Sequence, residues 1–401
     1  MSHQLASRLA VVVPSATLAI NARAQSLRAQ GVDVISFGAG EPDFDTPTNI
    51  CAAGAAAIEA GRTRYTPVAG VAELRAAIAA RSTALRGVSA RPEEVVVTVG
   101  AKGALFNLAL SLFEPGDEVV IPAPYWVSYP EQVRLVGATP VFVESTLDAG
   151  WKLSPEALAG ALSPRTKAVI LCTPSNPTGA AYTPPELEAL AAVLRPHDCW
   201  IVLDEIYAAL VYDGFVQRSL VSVAPDLAPR VVLIDGVSKT YAMTGWRVGW
   251  SIAPVALSKA MEMVQSQGAT STATMAQWAA LEALRAPPLE LEEMRAIFAL
   301  RRDRLVAGLR ALPGVRCAMP EGAFYAFAEV TGWIGRTTAA GRTLHTDLDV
   351  AAWLLDEAHV AVVPGSAFGA PGHMRLSYAV SVEHIDRALA RITKALESLS
   401  P

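Results

Sequence analysis

The stretch VVLIDGVSKTYAMTGWRVGW, residues 231–250, runs from a β-branched apolar segment into Ser238 and Lys239, with Arg247 eight residues beyond the lysine. An amine past the carboxyl end of a buried strand can attack a carbonyl if burial and nearby cations keep part of it neutral near pH 7. Other apolar runs end on reactive side chains as well. WIVL leads into Asp204, Glu205 and Tyr207, and TKAVILC leads into TPSNPTG with Asn176. EEVVVTV leads into Gly100-Ala101-Lys102-Gly103, and HMRLSYA carries Arg375. Each has an ordinary explanation by itself. A strand-end aspartate caps a turn, a strand-end lysine is a solvated charge, and NPTG is a turn. GAKG lacks the spacing of a nucleotide-binding loop. Taken together on one edge of one sheet, they supply the set that pyridoxal phosphate chemistry requires. That set is an amine for the aldehyde, a carboxylate to keep the ring nitrogen protonated, and donors for the phenolic oxygen. It also includes an aromatic face for the ring, and a helix N-terminus, a hydroxyl and an arginine for the phosphate.

The elements that would position these residues alternate from about residue 95. EEVVVTVG (93–100), DEVVIPAP (117–124), TPVFVES (139–145), TKAVILCTP (166–174), CWIVLDEIY (199–207) and RVVLIDGVS (230–238) read as strands. AKGALFNLALSLF (101–113) and LEALAAVLRP (187–196) have helical apolar spacing, the second opening on Thr183-Pro184-Pro185-Glu186, a capping-box pattern with proline in the first turn. Continuous apolar strands separated by helices predict an α/β fold with a mostly parallel central sheet covered on both faces, and ligands bind beyond the carboxyl ends of such strands. After about residue 290 a long amphipathic helix (291–312) precedes short strands at 322–330, 360–365 and 373–379 and a last helix, which predicts a smaller α+β domain. The expected division is an N-terminal segment (1–45) packing with the small domain, a large domain (46–290) and a small C-terminal domain (291–401).

The 401 residues carry 33 Lys and Arg against 38 Asp and Glu, and no basic stripe marks a nucleic-acid surface. No apolar run reaches the ~18 residues of a membrane span. The N-terminus has a five-residue apolar core, Leu9 to Val13, before Pro14 and shows no cleavage site, so a cytoplasmic protein is expected. Cys51, Cys172, Cys199 and Cys317 are scattered without metal-ligand spacing, and no metal is expected.

SNPTG, DEIY and SKTYAMTGWRVGW are close to signature segments of the fold-type-I pyridoxal phosphate enzymes, and within them the chain resembles the class I aminotransferases. The likeness runs from PSATLAINARAQSLRAQGVDVISFGAGEPDFDTP through RYTPVAGVAELR and PYWVSYPE to GAFY and RLSYA, and is strongest to the bacterial aspartate aminotransferase subgroup with PSAT near the N-terminus. The resemblance implies that Lys239 holds the cofactor aldehyde and then shuttles a proton, with Asp204 at the pyridine nitrogen and Asn176 and Tyr207 at the phenolic oxygen. Trp126 would stack on the ring. Gly100, Ala101, Lys102, Ser238 and Arg247 would hold the phosphate, with Tyr65 reaching it from the other subunit of a homodimer. Arg375 would clamp the substrate α-carboxylate, with Gly38 or Gly40 allowing backbone approach. Lys102, Ser15 and Thr17 would meet the distal carboxylate of aspartate or glutamate, in exchange with 2-oxoglutarate or oxaloacetate. Relatives that accept prephenate carry a basic residue just before PSAT; here Val13 precedes Pro14, which argues against prephenate. Aromatic, alanine-type and prephenate specificities are the alternatives on the same fold, to be separated by a donor panel.

Overall fold

The computed structural model describes residues 5–14, 16–87, 89–287 and 289–400. In chain order its elements begin with α1 (Ala16–Ala29), β1 (Ile35–Ser36), α2 (Thr48–Glu59), α3 (Ala72–Arg86), β2 (Val95–Val99) and α4 (Gly100–Leu112). There follow β3 (Glu118–Ala123), α5 (Ser128–Leu135), β4 (Thr139–Glu144), α6 (Pro155–Ala161), β5 (Thr166–Cys172), α7 (Pro184–Leu194) and β6 (Trp200–Asp204). The chain continues through α8 (Leu220–Val223), β7 (Val231–Gly236), β8 (Val248–Ile252), α9 (Val255–Gln267), α10 (Thr274–Arg285) and α11 (Glu290–Ala311). It ends with β9 (Arg316–Cys317), β10 (Tyr325–Glu329), α12 (Asp347–Glu357), β11 (Val360–Ala361), β12 (Val363–Pro364), β13 (His373–Ser377) and α13 (Val382–Leu396).

Seven strands form the main sheet in the order β2-β8-β7-β6-β5-β3-β4. All neighbours are parallel except β8, which runs antiparallel to both β2 and β7. The predicted parallel α/β sheet is therefore present, and the strand not anticipated is β8. Its VGWSI directly follows the Arg247 turn and is too short to stand out from it. The strands are apolar on both faces because both faces are covered. One cluster packs Leu171, Leu203, Leu187 and Leu190 beneath α7. Another packs Ile170, Val202, Ile234 and Leu105 beneath α4 and α9. As expected, α7 opens on Thr183 and Pro184, and the Thr183 N–H donates to the Glu186 carboxylate at 2.7 Å. That bond satisfies a donor which the first helical turn leaves unpaired.

The C-terminal elements enclose a second core around a four-stranded antiparallel sheet, β12-β13-β10-β9. Phe298 and Leu305 from α11, Trp353 and Leu354 from α12, Ile385 and Ile392 from α13, and Phe324, Leu376 and Tyr378 belong to that cluster. The stretch expected as one strand at 360–365 divides into β11 and β12. Of these, β11 pairs in parallel with β1, Ile35 opposite Val360 and Ser36 opposite Ala361. Residues 37–46 then lead from this second core to α2, and Gly40 and Thr46 meet the segment that follows β7.

Candidate active site

Asp204 is the last residue of β6 and is 4% exposed. Its Oδ1 accepts the Ile206 N–H at 3.3 Å and its Oδ2 accepts the Tyr129 hydroxyl at 2.6 Å. Burial raises its pKa to about 6, against the lowering effect of those two hydrogen bonds. A carboxylate kept this dry has a strong demand for a cationic partner.

Lys239 follows β7, and its Nζ donates to the Gly40 carbonyl at 2.6 Å. Burial lowers its pKa to about 8; the positive charges of Arg247 and Arg375 act in the same direction, and the carboxylates of Glu41 and Asp204 oppose them. The neutral-amine condition posed by the sequence is thus met: near pH 8 half of such amines are unprotonated and nucleophilic.

The first turn of α4 faces the same space. Gly100 has φ +71° and a Cβ there would lie 2.4 Å from Arg247 Nη2. Gly249 on β8 lies so close beneath that an added Cβ would sit 2.3 Å from the Ala101 nitrogen. The antiparallel β8 therefore does two things: it brings Arg247 to the helix start and lets the helix backbone settle onto the sheet. Arg247 Nη1 donates to the Thr244 carbonyl at 2.8 Å, and Ser238 is buried. A helix start, a hydroxyl and a guanidinium brought to one cavity fit a phosphate.

Arg375 on β13 enters from the second core. Its Nη1 donates to Asn176 Oδ1 at 2.9 Å and its Nη2 to the Gly38 carbonyl at 3.0 Å, with the Tyr325 ring 4.5 Å from Cζ. Its Nε is buried without a partner among the described residues. Tyr207 shares a hydrogen bond with the Tyr325 hydroxyl at 2.9 Å, and burial pushes its own pKa well above the usual phenol value. Lys102 lies 4.9 Å from the Trp126 ring centroid. Burial, then the charge of Arg247, lowers the pKa of Lys102.

These residues line one cavity of ≈ 390 Å³. Of the residues expected at a site, it brings together Thr17, Gly40, Ala101, Lys102, Trp126 and Asn176. It also includes Asp204, Tyr207, Ser238, Lys239, Arg247 and Arg375. Gly100 and Gly38 adjoin it through Arg247 and Arg375. Tyr65 is 90% exposed and is not among the lining residues. Ser15 lies outside the described residues. Tyr129, Tyr325, Asn21 and Glu41 belong to the cavity but were not singled out from the sequence. Tyr129 and Tyr325 lie within the quoted segments PYWVSYPE and GAFY, and that is the one signal that could have found them. The donor set fits pyridoxal phosphate at three separate points: the buried Asp204 carboxylate, the Gly100–Arg247 cradle and the depressed Lys239 amine. Among the described residues no cluster of His, Cys, Asp and Glu could hold a metal ion.

The family described as aminotransferase class I and II matches residues 32–392. An aspartate/prephenate aminotransferase of Cereibacter sphaeroides is 47% identical over 99% of both chains. An aspartate aminotransferase of Geobacillus stearothermophilus is 45% identical over 98% of this chain and 99% of its own. Among solved structures, the aspartate aminotransferase from Rhizobium meliloti superposes with a TM-score of 0.96 at 43% identity, covering 100% of both chains. The Thermus thermophilus aspartate aminotransferase with maleate gives 0.92 at 44% identity, over 98% of this chain and 100% of that one.

Proposed function

The chain belongs to the class I and II aminotransferases, and from that premise we propose that it is a pyridoxal phosphate-dependent aspartate aminotransferase. It would exchange the amino group between aspartate and 2-oxoglutarate, giving oxaloacetate and glutamate, in two half-reactions on one site. One observation carries the substrate assignment: Arg375 and Lys102, two partly or fully desolvated cations, open into the same cavity as Lys239. Such a pair suits a substrate with two carboxylates, and the names of the relatives point the same way.

Bound in this cavity, pyridoxal phosphate supplies an electron sink for the charge left when a proton leaves the substrate Cα. Lys239 would hold its aldehyde, and as a free amine would carry the Cα proton, a task suited to a group with a pKa of about 8. Asp204, held by Tyr129, would keep the proton on the ring nitrogen. Trp126 would cover the ring, and Asn176 and Tyr207 would meet its oxygen. Ser238, Arg247 and the Gly100–Ala101 turn would hold the phosphate. Arg375 would orient the α-carboxylate. Lys102 and Thr17, together with Ser15 by resemblance, would receive the distal one. A homodimer with Tyr65 reaching the partner's phosphate suits a tyrosine that its own cavity does not use. Division into units 1–45, 46–290 and 291–401 would let substrate draw Arg375 toward the large domain and exclude water. Four free thiols suit a reducing cytoplasm.

Transfer to prephenate is a second reading, favoured by the name of the Cereibacter sphaeroides relative and opposed by Val13, which is apolar and 64% exposed where a basic residue would be needed. The deciding experiment is turnover with aspartate, glutamate, alanine, phenylalanine and prephenate as partners, read together with the visible cofactor band. A bound cofactor whose band does not change with aspartate would sink the main reading.

A further inference from the structure

Asn21 is a polar side chain in the cavity to which neither the chemistry above nor the family resemblance gives a task. It stands one turn after Thr17 on α1, and residues four apart on a helix share a face. Thr17 and Asn21 both line the cavity. Beside that face, Ala24 is 1% exposed and packs with Val34, Leu355 and Ala361, joined by Ile20 and Leu27. α1 is therefore fixed by its apolar residues, and Asn21 is held at the cavity rather than left in solvent. The side chain is half-buried, and its carboxamide has no hydrogen-bond partner among the described residues.

Its neighbour is specific. A Cβ added to Gly38 would lie 2.5 Å from Asn21 Oδ1, so the amide occupies space that only glycine leaves open. Gly38 is also the residue whose carbonyl accepts from Arg375 Nη2 at 3.0 Å. Asn21 and Arg375 thus both approach Gly38. With Oδ1 toward Gly38, the Nδ2 arm is the donor that remains, and a half-buried donor without an acceptor marks a place where an acceptor binds.

We propose that Asn21 is a substrate-binding residue whose Nδ2 donates to the α-carboxylate of the amino acid beside Arg375. The inference rests on the aminotransferase reading of the site. Every amino-acid donor has an α-carboxylate, so the contact is shared by all donors, unlike that of Lys102. A hydrogen bond to a charged group changes affinity by about ten- to a hundredfold.

The test is steady-state kinetics of the cofactor-loaded enzyme with aspartate, glutamate and alanine. Asn21→Ala raises KM about tenfold or more for all three donors and changes kcat much less. Asn21→Asp, nearly isosteric, raises KM further because it sets a carboxylate against a carboxylate; if Asn21→Ala folds poorly, this variant carries the test. Gly38→Ala meets only the movable end of the amide, displaces it, and reproduces the Asn21→Ala loss. The double variant is no worse than either single one. An unchanged KM in Asn21→Asp, a loss confined to acidic donors, or additive losses in the double variant would each overturn the proposal. Wild type that transaminates none of the donors would instead overturn the aminotransferase reading.

Discussion

The Tyr129 hydroxyl donates to Asp204 Oδ2 at 2.6 Å across 75 residues of sequence, joining the start of α5 to the end of β6. The bond moderates a carboxyl group whose burial alone would hold it further toward the neutral form. Tyr129→Phe is expected to raise the Asp204 pKa above its value of about 6 and to lower kcat/KM about tenfold. The acidic limb of the pH–rate profile should move to higher pH. A tenfold loss with no movement of that limb would assign Tyr129 to packing alone.

The same carboxyl group makes a stability prediction for the cofactor-free protein. Its folded-state pKa, about 6, lies above the ordinary value of 3.8. Its contribution is therefore fully present below about pH 4 and is lost as pH rises through about 6. Asp204→Asn should melt higher than wild-type apoprotein at pH 8 and show a smaller advantage at pH 4, while turnover falls by several orders of magnitude. Thermal melts at the two pH values check the first part, and an equal difference at both would contradict it.

Lys239 can be probed without turnover. In the apoprotein, its labelling by an amine-reactive reagent should be half-maximal near pH 8, whereas an ordinary exposed lysine reacts fully only above about pH 10. Peptide mapping of the labelled chain gives the profile. Lys239→Ala should abolish transamination; wild-type rates in that variant would remove the lysine from the mechanism.

Lys102→Ala should lower kcat/KM for aspartate and glutamate by about ten- to a hundredfold and spare alanine and phenylalanine. Equal losses for both donor classes at saturating cofactor would move Lys102 to the phosphate side.

Gly249→Ala places a methyl 2.3 Å from the Ala101 nitrogen, a backbone atom that cannot step aside. It should cost about 1–3 kcal/mol of stability and weaken cofactor retention. Gly245→Ala, where nothing lies within 4 Å, is the control, and similar melting of the two variants would refute the close-packing argument.

If Tyr65 serves the partner's site, Tyr65→Ala and Lys239→Ala chains mixed and reassociated should recover activity. Half of the random dimers are mixed and each contains one intact site, so about a quarter of wild-type activity is expected. No recovery on mixing would rule out shared sites.

The parallel sheet, the long helix of the second core and the strand-end residues were legible because each writes its signal locally, as apolar runs, capping residues or a reactive side chain at a boundary. Strand β8 was not. Its five residues acquire meaning only by pairing with β2, about 150 positions earlier, and with β7. Tyr129 and Tyr325 were visible as tyrosines in recognisable segments. Their partners, Asp204 and Tyr207, are set by how the fold closes. Asn21 falls in the same class: nothing in PSATLAIN marks it until α1 is laid beside Gly38.

Arg375 is hydrogen-bonded within the chain at both terminal nitrogens. If Arg375 takes the substrate α-carboxylate as proposed, that carboxylate would meet a guanidinium whose direction is already set, and little rotamer entropy would remain to be lost on binding. Binding would then be an exchange of partners, in which the Asn176 oxygen and the Gly38 carbonyl yield in part to the substrate. Exchange of this kind works in both directions. When the product departed, the same two oxygens would be at hand to take the guanidinium back, and the site would reset without exposing a bare buried cation. A transaminase has to release one acid before it can accept the next, and an anchor with its own stand-in partners suits that alternation.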